Sequence, residues 1–553
     1  MKNLDKSNSS RISLIVITTV FLLVSLVFPV INLFKEAFYS EGNFVGIKNF
    51  TEYIKTPALV SSIQHSFTIA IISTIIVLAL AFVYAYTLER TKVKGKGALK
   101  WIALLPLFAP TMTHGIALIY LFGAQGLITT GFFGNIPALA MEFPLYGKWG
   151  IIFAESIYIF PSVFMMFKVA LKLTDNRLYE AAEVMGVSKV KQFFTITLPS
   201  MKYTVVSAFF GAFTMAFTDF GAPKVVGGSY NLLATDIYKQ VIGQQNITMG
   251  ATVGIMLLIP SVIAFIVDQR LNKINNTVDS KAVEYVVKKG KARDSILGII
   301  TYIVGFVILL IFGTILFAAF VKQWPYDLSF TLDWFKVKTY GISTLEIYYN
   351  TIYTALMSAI IGTMLVIMAS YLANRGRGFG KMKKALSFLC NVPLALPGLV
   401  VGLSFILFFN KVNNPLNGIY GTITIIVLAN IIHFLSVPYM TITTSMKKID
   451  MEYENVSESM GVPWYKVLSN VVIPMSMPAI LESFSYYFVN SMMTVSAVIF
   501  LYNFDTKLAS IDMINKYDTG DVAAAAAMAV LIIITNVVFK ALFDKVIEKT
   551  SKK

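Results

Sequence analysis

Apolar runs of about 20 residues recur along the whole chain, which leaves it few possible folds. Such a run is what a helix needs to cross a hydrocarbon core about 30 Å thick. A closed barrel would instead show alternating segments of about ten residues. Only 14% of the 553 residues are charged and 56% are hydrophobic, whereas a soluble domain carries about 25% charged residues. The pattern predicts an all-α integral membrane protein of about 12 transmembrane helices. The first six are placed at 12–34, 66–88, 101–122, 149–171, 203–221 and 248–268. The second six are placed at 296–320, 351–373, 385–409, 421–446, 479–501 and 522–546.

The net charge of +16 is topological. Lys2, Lys6 and Arg11 precede the first span, Arg90, Lys92, Lys94, Lys96 and Lys100 follow the second, and basic residues crowd the tail from Lys540 to Lys553. The intervening loops are poor in Lys and Arg, so the positive-inside rule places both termini in the cytoplasm. A lipid bilayer, and no nucleic acid, is the partner this charge implies. The run from Ile12 to Phe34 is too long for a signal-peptide core and lacks a small-residue cleavage site, so it is expected to stay as the first helix.

Cys390 is the single cysteine, which rules out an internal disulfide or a thiol cluster. His65, His114 and His433 have no ligand-like spacing, so no metal site is expected. A phosphate-cradling loop needs Gly, four residues, then Gly-Lys-Ser/Thr. The nearest run, Gly376-Arg377-Gly378-Phe379-Gly380-Lys381-Met382, has the wrong spacing and no hydroxyl. It is expected to be an exposed loop, and no cofactor is expected on this chain.

The chain repeats itself. Glu180-Ala181-Ala182-Glu183-Val184-Met185-Gly186 runs on through Ile196, Leu198 and Pro199, and Glu458, Gly461 and Pro474 follow Glu183, Gly186 and Pro199 at an offset of 275. Upstream, residues 65–70 match 350–355, and Tyr86 and Arg90 match Tyr371 and Arg375, at 285. Pro106, Pro110 and Gly115 match Pro393, Pro397 and Gly402 at 287. The halves are therefore 1–271 and 296–553, joined by a polar cytoplasmic linker at 272–295. Each carries six helices, so the repeats are parallel, with an axis along the membrane normal and a pathway between them. The prolines of the third span and its repeat would break a helix, which membranes tolerate where protein or a cavity covers the break.

Asp175 is placed to cap a helix over 176–185, Gly186 to close it in the left-handed region, and Ser188 to cap the next. Pro199 is expected to end that second helix. Such a hairpin is too short to be stable alone and needs a partner surface. Ala181 and Ala182 would offer close approach, with Glu180 and Glu183 beside them.

This pattern, Glu-Ala-Ala, three residues, Gly, nine residues, Ile, one residue, Leu-Pro, resembles the cytoplasmic loop of permease subunits of binding-protein-dependent ABC importers of type I fold. The resemblance implies a separate ATPase subunit, in two copies, that holds ATP and Mg and receives the loop's helix in a groove. It also implies an external substrate-binding protein and the plasma membrane of a prokaryote. Glu180, Ala181, Ala182, Glu183, Gly186 and Pro199 would couple on one side. On the other, Asn455-Val456-Ser457 replaces Glu-Ala-Ala, so Asn455, Ser457, Glu458, Gly461 and Pro474 would serve. Asp219-Phe220-Gly221-Ala222-Pro223, Gly227-Gly228, Leu233 to Tyr238 and Thr494 to Leu501 resemble fused permeases for ferric iron or 2-aminoethylphosphonate. Sulfate, thiamine or polyamine remain open as solutes.

Polar groups inside spans are pathway candidates, because they are costly there and face the bundle interior. These are Thr111, Thr113 and His114 in the third span, Asp219, its counterpart Thr494, and Ser496. For Asp219, capping a broken helix turn is the competing role. Glu155 and Asn430, equivalent by the repeat, are expected to hydrogen-bond between helices. A secondary, ion-coupled transporter is the rival function, and the duplicated connector argues against it.

Overall fold

The computed structural model describes residues 2–40, 42–275, 283–339, 341–375 and 379–551. Part of the linker, 276–282, and the Gly376-Arg377-Gly378 run lie outside the described residues. Among the described residues, seven helices are long and apolar enough to cross a membrane: Ser10–Phe38, Pro57–Arg90, Lys148–Lys172, Ile247–Leu271, Lys291–Ala319, Thr344–Asn374 and Val522–Thr550. Four bent helix pairs among the described residues are long and apolar enough when each pair is taken together: Lys96–Phe108 with Thr111–Phe122, Gly380–Ala395 with Gly398–Phe409, Ile423–His433 with Ser436–Lys447, and Trp464–Met475 with Met477–Met493. The fifth span of the sequence reading is the helix Leu198–Thr218, whose first turns carry the polar residues Ser200, Lys202 and Tyr203. Among the described residues, three two-stranded ribbons, the largest pairing Val321–Gln323 with Asp327–Phe330, interrupt the otherwise helical chain.

The prolines act as expected, and more sharply than a kink. The third span turns by 105° and its repeat, the ninth, by 113°. In each, a short 3₁₀ turn (Leu105–Phe108, Val392–Ala395) carries the first proline and the second proline starts a new helix. Many hydroxyls inside the spans cost little because they bond back to their own helix, although those of Ser73, Thr74, Thr301, Thr354 and Thr363 are buried without a partner among the described residues. Thr18 donates to the Leu14 carbonyl at 2.8 Å, Ser25 to Phe21 at 2.7 Å and Thr252 to Thr248 at 2.9 Å, so these three offer no free donor to lipid.

Close helix packing follows from small residues spaced by four. Ser62, Ser66, Ala70, Ala81 and Ala85 are buried along the second span, and Thr351, Ala355, Ala359 and Gly362 along the eighth. Small side chains let backbones approach where lipid supplies no hydrophobic drive. The second span packs on the fourth and the eighth on the eleventh. At Gly362 a β-carbon would lie 2.7 Å from the Tyr487 ring.

The halves are not separate bodies. The first span packs on Gly398–Phe409 of the second half, and the seventh on Pro57–Arg90 and Thr111–Phe122 of the first. Phe28 meets Phe408 at 6.4 Å, the Arg11 guanidinium reaches the Arg375 carbonyl, and Tyr302 donates to the Lys94 carbonyl at 3.0 Å. Chain order thus divides the molecule at the linker, while packing exchanges the leading helix of each half.

Candidate functional site

Two hairpins project from the face that also bears the chain ends. In the first, Asp175 accepts from the Arg177 amide at 3.0 Å and caps the helix Asn176–Val184. Gly186 sits at φ +71°, and the Val187 amide returns to the Ala182 carbonyl at 2.9 Å. Ser188 then caps Lys189–Gln192. The second hairpin has the same close: Gly461 at φ +70° and the Val462 amide on the Ser457 carbonyl at 2.8 Å. Only glycine adopts this left-handed position without strain.

Three details differ from the sequence reading. Pro199 does not end a helix, because the π turn Phe193–Thr197 precedes it and the Leu198 amide bonds to the Phe193 carbonyl. That wider turn takes up the misfit around the missing proline N–H, so the chain continues as Leu198–Thr218. Pro474 likewise follows the π turn Leu468–Val472. Ala182 is buried and only Ala181 faces outward. Glu183 is already engaged by Lys189 and Lys288; their hydrogen bonds hold its carboxyl down to about 2. Glu180 accepts from the Asn176 amide group at 2.7 Å. The outward surface carries apolar side chains among the charged ones: Val184 is 90% exposed, Met185 73% and Val190 70%, with Val456 and Met460 on the second hairpin. There, Asn455 and Ser457 are half-buried and Glu458 is exposed.

Equivalent arginines root the hairpins. Arg375, 1% exposed, grips Glu454 through Nε and Nη2, both at 2.6 Å, and donates to the Met446 carbonyl at 2.9 Å. Arg90, equally buried, donates to the Leu171 carbonyl at 2.7 Å, the position equivalent to Met446. Where Glu454 stands, the first half has Tyr179, its ring 5.7 Å from the guanidinium.

Between the halves lies a cavity of about 520 Å³. It is lined from one side by Tyr158, Thr214, Asp219 and Asp268, and from the other by Pro397, His433, Tyr486 and Ser496. Asp219 accepts from the Ala222 amide at 3.0 Å, so it both caps the turn after the fifth span and faces the cavity. Ser496 packs on Gly398, where a β-carbon would meet its hydroxyl at 2.1 Å. Thr111 touches Gly221 in the same way. Thr113, His114 and Thr494 are buried away from the cavity lining. His114 Nδ1 lies 3.2 Å from the Thr111 carbonyl. Glu155 is buried beside Asp219, and both its carboxyl oxygens and the Asn430 side-chain amide lack a hydrogen-bond partner among the described residues.

Residues 85–274 and 366–552 each match the family described as binding-protein-dependent transport system inner membrane component. The chain belongs to that family. It is a membrane-spanning permease subunit of a binding-protein-dependent transport system. The two matches take in both hairpins and both sharply broken spans, and leave the exchanged first and seventh spans outside. The permease is 27% identical over 95% of its length to a ferric transport system permease protein FbpB of Actinobacillus pleuropneumoniae, covering 76% of that protein. A putative 2-aminoethylphosphonate transport system permease protein PhnV of Salmonella paratyphi A is 23% identical over 48% of the permease and 98% of its own length. Among solved structures, a bacterial ABC transporter that imports alginate covers 47% of the permease and 93% of its own chain, at 18% identity and a TM-score of 0.39.

Sequence reasoning missed Tyr158, Tyr486 and His433 as lining residues. Tyr158 and His433 are related by the 275 offset, and that symmetry was the one available signal.

Proposed function

We propose that this permease forms the pathway of an ATP-driven importer for a hard, oxygen-seeking cation of the ferric iron class. The carrying observation is the cavity between the halves: carboxylate and phenol groups from Asp219, Asp268, Tyr158 and Tyr486 line it, and no Lys or Arg among the described residues does. Hard cations prefer oxygen ligands, while a phosphonate such as 2-aminoethylphosphonate calls for cationic donors. Relatives named as ferric permeases support the same class.

In this reading two copies of a cytoplasmic ATPase subunit, which carry ATP and Mg, seat on the hairpins. The exposed Val184, Met185, Val190, Val456 and Met460 support this, since water-facing apolar knobs mark docking surfaces. An external substrate-binding protein delivers solute to the opposite face. The hairpins and both termini then lie in the cytoplasm, in the plasma membrane of a prokaryote, as the basic loops suggest. ATP binding draws the ATPase subunits together, and the hairpins tilt the halves between two access states.

Reconstitution with the ATPase and binding protein in liposomes tests this. Ferric uptake should require ATP and fall roughly tenfold in Asp219→Asn, equivalent to about 1.4 kcal/mol, which lies within the range of about 1–4 kcal/mol for one charge contact at about 4 Å. Uptake by the permease alone, driven by an ion gradient, would sink the importer reading. ATP-driven uptake of phosphonate but not iron would overturn the solute class.

A further inference from the structure

The two hairpins are rooted by equivalent arginines with unequal partners, and the missing partner in the first half comes from the linker. Arg375 is neutralised within its own half by Glu454. Arg90 has no ion pair among the described residues, and its Nε has no hydrogen-bond partner among them. Its guanidinium instead lies 4.0 Å from the centre of the Tyr285 ring. Tyr285 belongs to the stretch 283–290, which leads from the first half into the seventh span.

That stretch runs along the first hairpin. The Asn176 amide donates to the Val283 carbonyl at 2.9 Å, the Val286 amide to the Asn176 side chain at 3.2 Å, and Lys288 pairs with Glu183. Tyr285 stands edge-on to Tyr179 at 4.9 Å, and the Arg90 guanidinium lies near both rings, 4.0 Å from the first and 5.7 Å from the second. Tyr179 in turn bonds Thr197 at 2.8 Å across the two arms of the hairpin.

We propose that Tyr285 is a positioning residue for the first hairpin: through the face of its ring it does for Arg90 what Glu454 does for Arg375. A buried guanidinium needs a partner, and an aromatic face supplies one without adding a second buried charge. The linker is thus a working part of one hairpin rather than a tether. Force entering the first hairpin passes directly to the seventh span, which packs back on the first half; among the described residues the second hairpin has no such strap from the linker. The coupling role rests on the importer reading above; the positioning role does not.

Hydrogen exchange of the full-length permease in detergent tests positioning without ATPase or solute. In Tyr285→Ala, amides of 176–184 should exchange about 3- to 30-fold faster, the range spanned by a cation–π contact, while those of 452–459 stay unchanged. Tyr285→Phe keeps the ring face and should restore protection, and Glu454→Gln should loosen 452–459 alone. Equal exchange in wild type and Tyr285→Ala, or no recovery in Tyr285→Phe, would overturn the proposal. If Tyr285→Ala loses protection everywhere, Tyr285→Leu, which keeps apolar bulk without the ring, replaces it under the same criteria. With the ATPase reconstituted, solute moved per ATP should fall in Tyr285→Ala and recover in Tyr285→Phe. An unchanged ratio alongside faster exchange would overturn the coupling role alone.

Discussion

Gly186 and Gly461 hold φ values of +71° and +70° with open space where a β-carbon would project. The strain of substitution is therefore purely backbone, about 1 kcal/mol for alanine in the left-handed region. Gly186→Ala and Gly461→Ala should each loosen only their own hairpin, by about fivefold in amide exchange; a broader effect would show that the hairpins are not locally closed units. Glu183 sets a pH expectation. Its carboxyl, held down to about 2 by Lys189 and Lys288, has an ordinary value near 4.3 when unpartnered. A depressed folded value adds stability that is complete above about 4.3 and is lost as pH falls through about 2. The strap along the first hairpin should therefore be indifferent to pH between 5 and 8. High salt should loosen it, because the pairs are exposed and screened. Exchange of the 283–290 amides at both pH values, with and without 1 M salt, checks both statements.

Among the elements, close approach is set by glycines on the eighth and third spans. A β-carbon at Gly362 would fall 2.7 Å from Tyr487, and one at Gly115 2.9 Å from the Val225 β-carbon. Overpacking of this kind costs about 1–3 kcal/mol. Gly362→Ala and Gly115→Ala should lower the thermal midpoint in detergent, while Gly211→Ala, with nothing within 4 Å, should leave it unchanged or higher. A destabilised Gly211→Ala would show that helix glycines matter here for flexibility rather than clearance. The duplicated prolines of the third and ninth spans were legible as breaks because in each span two of them stand four residues apart, whereas the single prolines Pro161 and Pro260 stay inside continuous helices. The small-residue stripes were harder to read, since serine and alanine at intervals of four look like any apolar helix until a partner helix is laid against them.

For the molecule as a whole, exchange of the first and seventh spans makes the halves interdependent. Cutting the chain with a protease site placed between residues 275 and 283 should leave two fragments that co-purify in mild detergent, held by the first span on the ninth and the seventh on the second and third. Separation of the fragments would mean that the linker, and not the crossed helices, keeps the halves together. The same exchange explains why sequence division and packing disagree: internal repeats show which segments are equivalent, not which neighbour each one chooses.

Periodicity, charge and self-similarity by themselves determined the membrane class, the helical architecture, the two related halves and the existence of paired hairpins. These properties depend on local chemistry: length against bilayer thickness, proline against the helix ladder, glycine at a left-handed turn. Tertiary structure alone decided which side chains meet. It brought Asp219, Tyr158 and His433 to one cavity from three spans, turned Ala182 inward, and spent Glu183 on the chain's own lysines. It also carried Tyr285 from the linker onto Arg90, because a buried guanidinium takes whichever partner the fold delivers, and no spacing along the chain records that choice.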